Sequence, residues 1–412
     1  MKYDVITIGS GLGGLVSSVL LAKRGKKVLL LEQHWLPGGY CTSYTRKGFT
    51  FNVPSILGPL GSKEATAVLA ELGFYDEIRW TTVDHFARYV YPDFEVALPA
   101  NDLSACEAIL RQAFPAEARA IGCFFSEAAL AERCMTLLQN RSRSLRQSFA
   151  LLCKIPRLLR LARTSFYDFM RGLTDDERLI AVLSSMWGYL GLPPKRIPAL
   201  LILGLSADCY GKPISFPEDG FQAVADFFAR KLAQFAGEIR CRTRVEKILV
   251  DRRRATGVET AAGERLSAET VISNADTKRT FLEMVGRSNL SRSLARSVDA
   301  HEPSMSGVSL HIGTDLDLSR LDLRYGSIFC QESWEDSDSL YERAMANTIR
   351  FERDKIGFGL QAPSLLSPRL APAGKHILHV LVAPVAPQVL GGPDKATGKR
   401  TKACLLYTSD AA

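Results

Sequence analysis

A short apolar run, Tyr3 to Ile8, leads directly into Gly9, Gly11 and Gly14, spaced as G-x-G-x-x-G. In that spacing the first glycine permits a tight turn, the second lets the backbone approach a pyrophosphate, and the third lets the following helix pack closely on the strand. Leu12, Leu15, Val16, Val19 and Leu20 then recur at helical spacing, and a second apolar run, Val28 to Leu31, ends in Glu32. Strand, helix and strand within about thirty residues make a βαβ unit. An acid at that distance from the last glycine suits a ribose hydroxyl, and the N-terminal end of the helix suits phosphate. The pattern predicts a dinucleotide site built from Gly9, Ser10, Gly11, Gly13, Gly14, Glu32 and Gln33, and leaves NAD and FAD both open. Gly38 and Gly39, just past the acid, would let a second backbone segment come close to the same ligand.

The chain has 412 residues, enough for two or three domains. Its 46% hydrophobic and 23% charged residues are ordinary for a globular protein and exclude disorder or a collagen-like repeat. A net charge of +8 raises an anionic partner, but no nucleic-acid motif accompanies it, and the Arg252-Arg253-Arg254 run between strand candidates reads as a solvated turn. Nine cysteines stand singly without a C-x-x-C pair, which points to a reducing compartment. No run of about 18 apolar residues and no signal peptide are visible, so a cytoplasmic location is expected, with a peripheral position at the inner membrane face as the alternative.

From about Ser62 to Arg171 the pattern is helix-rich, with one strand-like interruption between Phe86 and Leu98. Inside it, Arg143, Arg146, Lys154, Arg157, Arg160 and Arg163 are interleaved with leucine and phenylalanine. Two readings fit: a helix lying on a membrane surface, and a core helix with its basic side chains in water, either one broken by Pro156. Phe166, Tyr167, Phe169, Met170, Met186, Trp187 and Tyr189 read as core, with an apolar channel wall as the alternative. Thr174 and Glu177 have the spacing of a capping box. Phe221, Val224, Ala225, Phe228, Leu232 and Phe235 mark one face of a helix, and strand candidates follow at 238–242, 245–250, 258–260 and 270–273, broken by Gly257 and Gly263 and expected to form a small sheet. His311, His376 and His379 have no metal or triad spacing and read as structural. Asp208 and Tyr210 are candidates to face a substrate, no catalytic residue is assigned, and no metal site is expected.

Four stretches together carry a resemblance: the N-terminal segment through Gly39, "GFTFNVPS" from Gly48, "FPEDGFQAVADFFARKL" from Phe216, and "VISNADTKRTFLEMVG" from Val271. In this order they resemble the phytoene desaturase, carotenoid isomerase and retinol saturase family of flavoproteins, over most of the chain. The resemblance implies an α/β fold in which a Rossmann-like FAD-binding domain is interleaved with a substrate domain of helices and mixed β-sheet. It assigns 1–85 and 216–286 to the FAD-binding domain, 86–215 to a substrate or membrane-associated helical region, and 287–400 to a substrate-domain sheet. It also implies FAD as cofactor, with Val245 at the adenine and Ser55 and Asn274 toward the flavin. The implied activity is oxidoreduction of an apolar polyene isoprenoid (desaturation, saturation or isomerisation). The oligomeric state is left open. Tyr40, Asn52 and the Glu218-Asp219-Gly220 turn depart from the family pattern on the substrate side.

The family's late glycine-rich, flavin-covering segment is not found in this sequence, and residues 401–412, "TKACLLYTSDAA", read as a non-native tail on a shortened gene, for which weak FAD retention is expected. Two other functions remain in view: an amine-oxidase-like flavoprotein, which shares the N-terminal fingerprint, and a flavin-less lipid-binding or scaffold protein.

Overall fold

The computed structural model describes residues 2–53, 67–139, 144–302, 304–334, 336–346 and 357–385. Ser55, Arg143 and the 401–412 tail lie outside the described residues. The chain starts with strand β1 (Lys2–Ile8), helix α1 (Leu12–Lys23) and strand β2 (Val28–Leu31), with β1 and β2 parallel. Both faces of this pair are buried, as parallel strands require. Val5, Val28 and Leu30 face a large core shared with α1, while Ile6, Ile8, Leu29 and Leu31 face a second cluster with Val245, Ile248 and Val258.

Four further strands complete this six-stranded sheet. Glu238–Arg240 lies parallel to β2 on one side, and Arg265–Ser273 lies parallel to β1 on the other. Arg254–Thr260 and Val245–Asp251 continue outward as an antiparallel meander. The small sheet expected for 238–273 is therefore part of the dinucleotide-binding sheet. Gly257 does not break a strand. It sits inside one with φ +156°, where a Cβ would lie 2.1 Å from the Leu266 carbonyl oxygen, so its role is close strand approach. Arg252 and Arg253, both at positive φ and exposed, form the two-residue hairpin turn between Asp251 and Arg254. Helix Gln222–Gln234 packs against α1 and buries Val224, Ala225, Phe227, Phe228 and Leu232, with Phe227 and Phe228 against Phe74.

A second sheet orders its strands as Ser306–Thr314, His376–Val385, Phe358–Gln361, Tyr325–Cys330, His85–Tyr91 and Phe94–Pro99. The strand-like interruption in the helical region is thus a hairpin, joined in parallel to Tyr325–Cys330 from far along the chain. Helices from 103–211 cover this part of the core. Among them, Glu177–Ser184 is capped by Asp176, whose Oδ1 accepts from Arg178 N–H and Leu179 N–H. Thr174 instead accepts from Asp176 N–H, so the helix begins two residues later than a Thr174 cap would place it: both residues are good caps, and the aspartate lies nearer the first free N–H groups. Pro156 sits in the first turn of Ile155–Arg163, which separates that helix from Leu145–Leu152.

Candidate functional site

The glycine turn is built around close backbone contacts. Gly9, at φ +89°, donates its N–H to Leu31 O (2.8 Å), which locks the turn to β2. A Cβ on Gly14 would lie 2.1 Å from the Gly9 carbonyl oxygen, the tight helix-on-strand packing expected of the third glycine. Asn274 N–H donates to Ile8 O (2.8 Å), and the Asn274 side-chain amide occupies the space beside Gly11 and Gly13 where side chains would otherwise stand. Helix α1 begins at Gly11 with no side-chain cap, so its first N–H groups have no side-chain acceptor. Gly38, at φ +126°, lies in parallel register beside Gly11, and a Cβ on Gly39 would come within 3.0 Å of Gly11 Cα. An uncapped helix end with two glycine segments side by side fits a bound pyrophosphate.

Glu32 is 7% exposed and already has protein donors on both oxygens. Oε2 accepts from Ser10 N–H (2.8 Å) and Ser10 Oγ–H (2.6 Å), and Oε1 accepts from His34 N–H (2.8 Å). Gly38 N–H in turn reaches Ser10 O (2.9 Å) and Ser10 Oγ (3.2 Å). The acid thus ties the first glycine turn to the Gly38-Gly39 segment, a role the spacing alone did not suggest. Oε2 thus has both of its lone pairs engaged, and Oε1, with a single donor, keeps one for a further donor. Gln33 is exposed next to it, and Val245 is buried at the start of its strand, two residues past Thr243, whose N–H donates to Glu32 O (2.7 Å). The structure therefore brings Gly9, Ser10, Gly11, Gly13, Gly14, Glu32, Gly38, Gly39 and Asn274 into one constellation, with Gln33 and Val245 at its edge.

Asn52 and Ser43 serve a different purpose. Asn52 Oδ1 accepts from Ser43 Oγ–H (2.6 Å) and Phe221 N–H (2.9 Å), and Ser43 Oγ accepts from Gln222 N–H (3.1 Å), so the pair caps helix Gln222–Gln234.

The second sheet forms the floor of a cavity enclosing about 970 Å³ of empty space, its open mouth included. Trp187, Tyr189, Phe329, Phe358, Leu340 and Leu381 supply its apolar walls; Ser327, Gln361 and His379 on the sheet, with Ser185, Gln331, Glu332, Ser333 and Ser337, supply polar atoms. Of the aromatic stretch at 166–189, Phe166, Met170 and Met186 are core, whereas Trp187 and Tyr189 line this cavity. Tyr210 is also core: its hydroxyl meets Tyr89 Oη at 2.7 Å, and burial pushes both phenols well above the ordinary tyrosine range. Asp208 pairs with Lys212.

His311 and His379, unremarkable in the sequence, are neighbours across paired strands with ring centroids 4.4 Å apart, and Tyr44 Oη lies 2.9 Å from His311 Nδ1. Burial favours the neutral ring and holds the His379 pKa down at about 3, with His311 acting in the same direction. In the unfolded chain this imidazole takes a proton as pH falls through about 6.5. The folded protein therefore binds fewer protons than the unfolded one between that pH and about 3, and stability falls on acidification by at most about 1.4 kcal/mol per pH unit from this group. Denaturant midpoints at pH 7.5 and 5 should show this loss, and His379→Phe should make it smaller.

The fold and turn define a Rossmann-type dinucleotide-binding protein. A family model described as an NAD(P)-binding Rossmann-like domain matches residues 7–72. A chloroplastic prolycopene isomerase from Daucus carota is 26% identical over 92% of this chain and 61% of its own length. A lycopene-forming phytoene desaturase from Pseudescherichia vulneris is 29% identical over 93% of this chain and 76% of its own length. An all-trans-retinol 13,14-reductase from Danio rerio is 27% identical over 79% of the chain and 56% of its own length. Among solved structures, an oxidoreductase from Methanosarcina mazei superposes with a TM-score of 0.64 at 21% identity, covering 95% of this chain and 80% of that one. Putrescine oxidase superposes with a TM-score of 0.60 at 15% identity, covering 93% and 76%. Over most of its length the chain is thus similar to prolycopene isomerase, phytoene desaturase and retinol reductase, and it spans about three fifths of the length of the first of these relatives.

Proposed function

We propose that this chain is the greater part of an FAD-dependent oxidoreductase acting on a polyene isoprenoid. The observation that carries the reading is an apolar cavity on the second sheet in a chain that also holds an uncapped glycine turn and aligns over 92–93% of its length with enzymes of lycopene chemistry. FAD would supply the hydride acceptor or donor. Gly9, Gly11, Gly14, Gly38 and Gly39 would take its pyrophosphate, Glu32 its ribose, and Val245 and Asn274 would flank its adenine and flavin ends. The cavity walls would exclude water and align the chain of the substrate. Incubating the protein and FAD with vesicles containing phytoene, lycopene isomers or retinol tests this by polyene absorbance. An unchanged spectrum with all of them, or peroxide release with putrescine instead, would remove it in favour of an inert or an amine-oxidising protein.

Delivery of so apolar a substrate calls for a membrane contact. Among the described residues no helix is long and apolar enough to cross a bilayer. Helices Leu145–Leu152 and Ile155–Arg163, however, leave Phe149, Leu152 and Leu159 exposed at 69%, 61% and 49%, beside the exposed cations Lys154, Arg160 and Arg163. Apolar side chains flanked by cations suit an anionic lipid surface. Co-sedimentation with anionic vesicles is expected, weakening with salt. Replacing Phe149, Leu152 and Leu159 by serine should lower the partition by about tenfold or more, since each buries an apolar side chain in lipid.

A further inference from the structure

We propose that the sheet-face cavity takes a polyene bearing an oxygen at one end, an alcohol or carbonyl, and that His379 Nε2 recognises that oxygen. The inference rests on the reading that this cavity holds a polyene. Because side chains alternate across a strand, Ser327 and Phe329, Gly359 and Gln361, and His379 and Leu381 all reach the cavity side of three adjacent strands. The register sets Gln361 directly opposite His379.

Two of the polar groups on that floor satisfy one another. Gln361 Nε2 donates to Ser327 Oγ (2.9 Å) and to Gly326 O (2.8 Å), and Tyr189 Oη shares a hydrogen bond with the same Ser327 Oγ (2.9 Å). His379 differs. It is 5% exposed, it lines the cavity, and its Nε2 is buried with no hydrogen-bond partner among the described residues; His311 Nε2 shares that condition but His311 does not line the cavity. Its ring is held by edge-on contact with His311, which is itself anchored by Tyr44.

A buried polar atom without a partner is costly unless something meets it. Burial keeps this imidazole neutral, so according to its tautomer Nε2 accepts from a hydroxyl or donates to a carbonyl. A pure hydrocarbon in the cavity would leave the buried Nε2 without a partner. An oxygenated end group placed against Nε2 satisfies the ring, while Trp187, Phe329 and Leu381 take the apolar stem. Selection by a buried hydrogen-bonding group is also sharper than selection by apolar fit alone.

Quenching of tryptophan fluorescence, to which Trp187 in the wall contributes, would measure binding of retinol, retinal and the hydrocarbon that lacks their oxygen. The two oxygenated probes are expected to bind the wild-type protein about tenfold tighter than the hydrocarbon. His379→Phe should erase that preference by weakening only the oxygenated probes, and His379→Gln, which can still hydrogen-bond, should keep most of it. Circular dichroism would confirm that both variants are folded. Equal wild-type affinities, or a preference that survives His379→Phe, would overturn the assignment and leave the polyene reading standing. Failure of all three probes to bind would overturn both.

Discussion

Gly14→Ala is expected to cost the protein both stability and its dinucleotide, whereas Gly11→Ala should cost mainly the dinucleotide. The difference lies in what each new methyl group meets. On Gly14 a Cβ would sit 2.1 Å from the Gly9 carbonyl oxygen and 3.2 Å from its carbon. Both are backbone atoms of a turn pinned to β2 through Gly9 N–H and Leu31 O, so nothing nearby can rotate away. Helix α1 would have to lift off the sheet, loosening Leu15, Val19 and Ala22 from the core. Overpacking of this kind costs about 1–3 kcal/mol, and the shift would also turn the helix end away from the place proposed for the pyrophosphate. On Gly11 the nearest atom is Asn274 Nδ2 at 2.6 Å, the end of a side chain. Gly11→Ala combined with Asn274→Ala should therefore melt close to the Asn274→Ala protein while still binding FAD poorly, because in the proposed site residue 11 would lie against the pyrophosphate. Gly14→Ala should melt well below wild type and bind FAD at least about 100-fold more weakly. Thermal melts with FAD titrations check both, and a Gly14→Ala protein matching wild type on both measures would refute the packing account.

The legible part of this chain is the part written in neighbouring residues. Strand β1, the glycine turn, α1, β2 and Glu32 fall within the first 32 residues, and each carries its own local signal of period, turn chemistry or charge. In the second sheet the hairpin around 86–98 carries such a signal, but the long-range pairing does not. Its strand His85–Tyr91 pairs with Tyr325–Cys330, and nothing in the periodicity of either names the other. The same holds for the cavity: Ser327, Gln361 and His379 share a face only because three strands register as they do, and each alone looks like an unremarkable core or surface residue. Asn274 was reachable through the "SNAD" motif, but its physical reason, an amide filling the space left by two glycines, belongs to the folded arrangement. Gly257 shows the converse: a glycine read as a strand break is instead a place where two strands come too close for a side chain.

Glu32→Gln is expected to lower dinucleotide affinity by about 30- to 1,000-fold, for reasons that start before any ribose arrives. The carboxylate accepts three hydrogen bonds inside the protein, two from Ser10 and one from His34 N–H. A glutamine has one acceptor oxygen and one donor nitrogen, so in either orientation its NH₂ group faces an N–H or O–H that needs an acceptor. Hydrogen bonds to a charged group are worth about 1.5–3 kcal/mol each, and a buried donor left over adds a penalty. The loss passes to the second glycine segment, because the Ser10 hydroxyl held by Glu32 also receives Gly38 N–H. A total of about 2–4 kcal/mol corresponds to the expected range of affinity. A second measurement separates this organising role from a direct grip on the ribose. If Glu32 also holds a ribose hydroxyl, an FAD analogue lacking the adenosine 2′-hydroxyl should bind wild type more weakly than FAD, and Glu32→Gln should bind the two alike. Wild-type binding that ignores the missing hydroxyl would confine Glu32 to fastening the two glycine turns together.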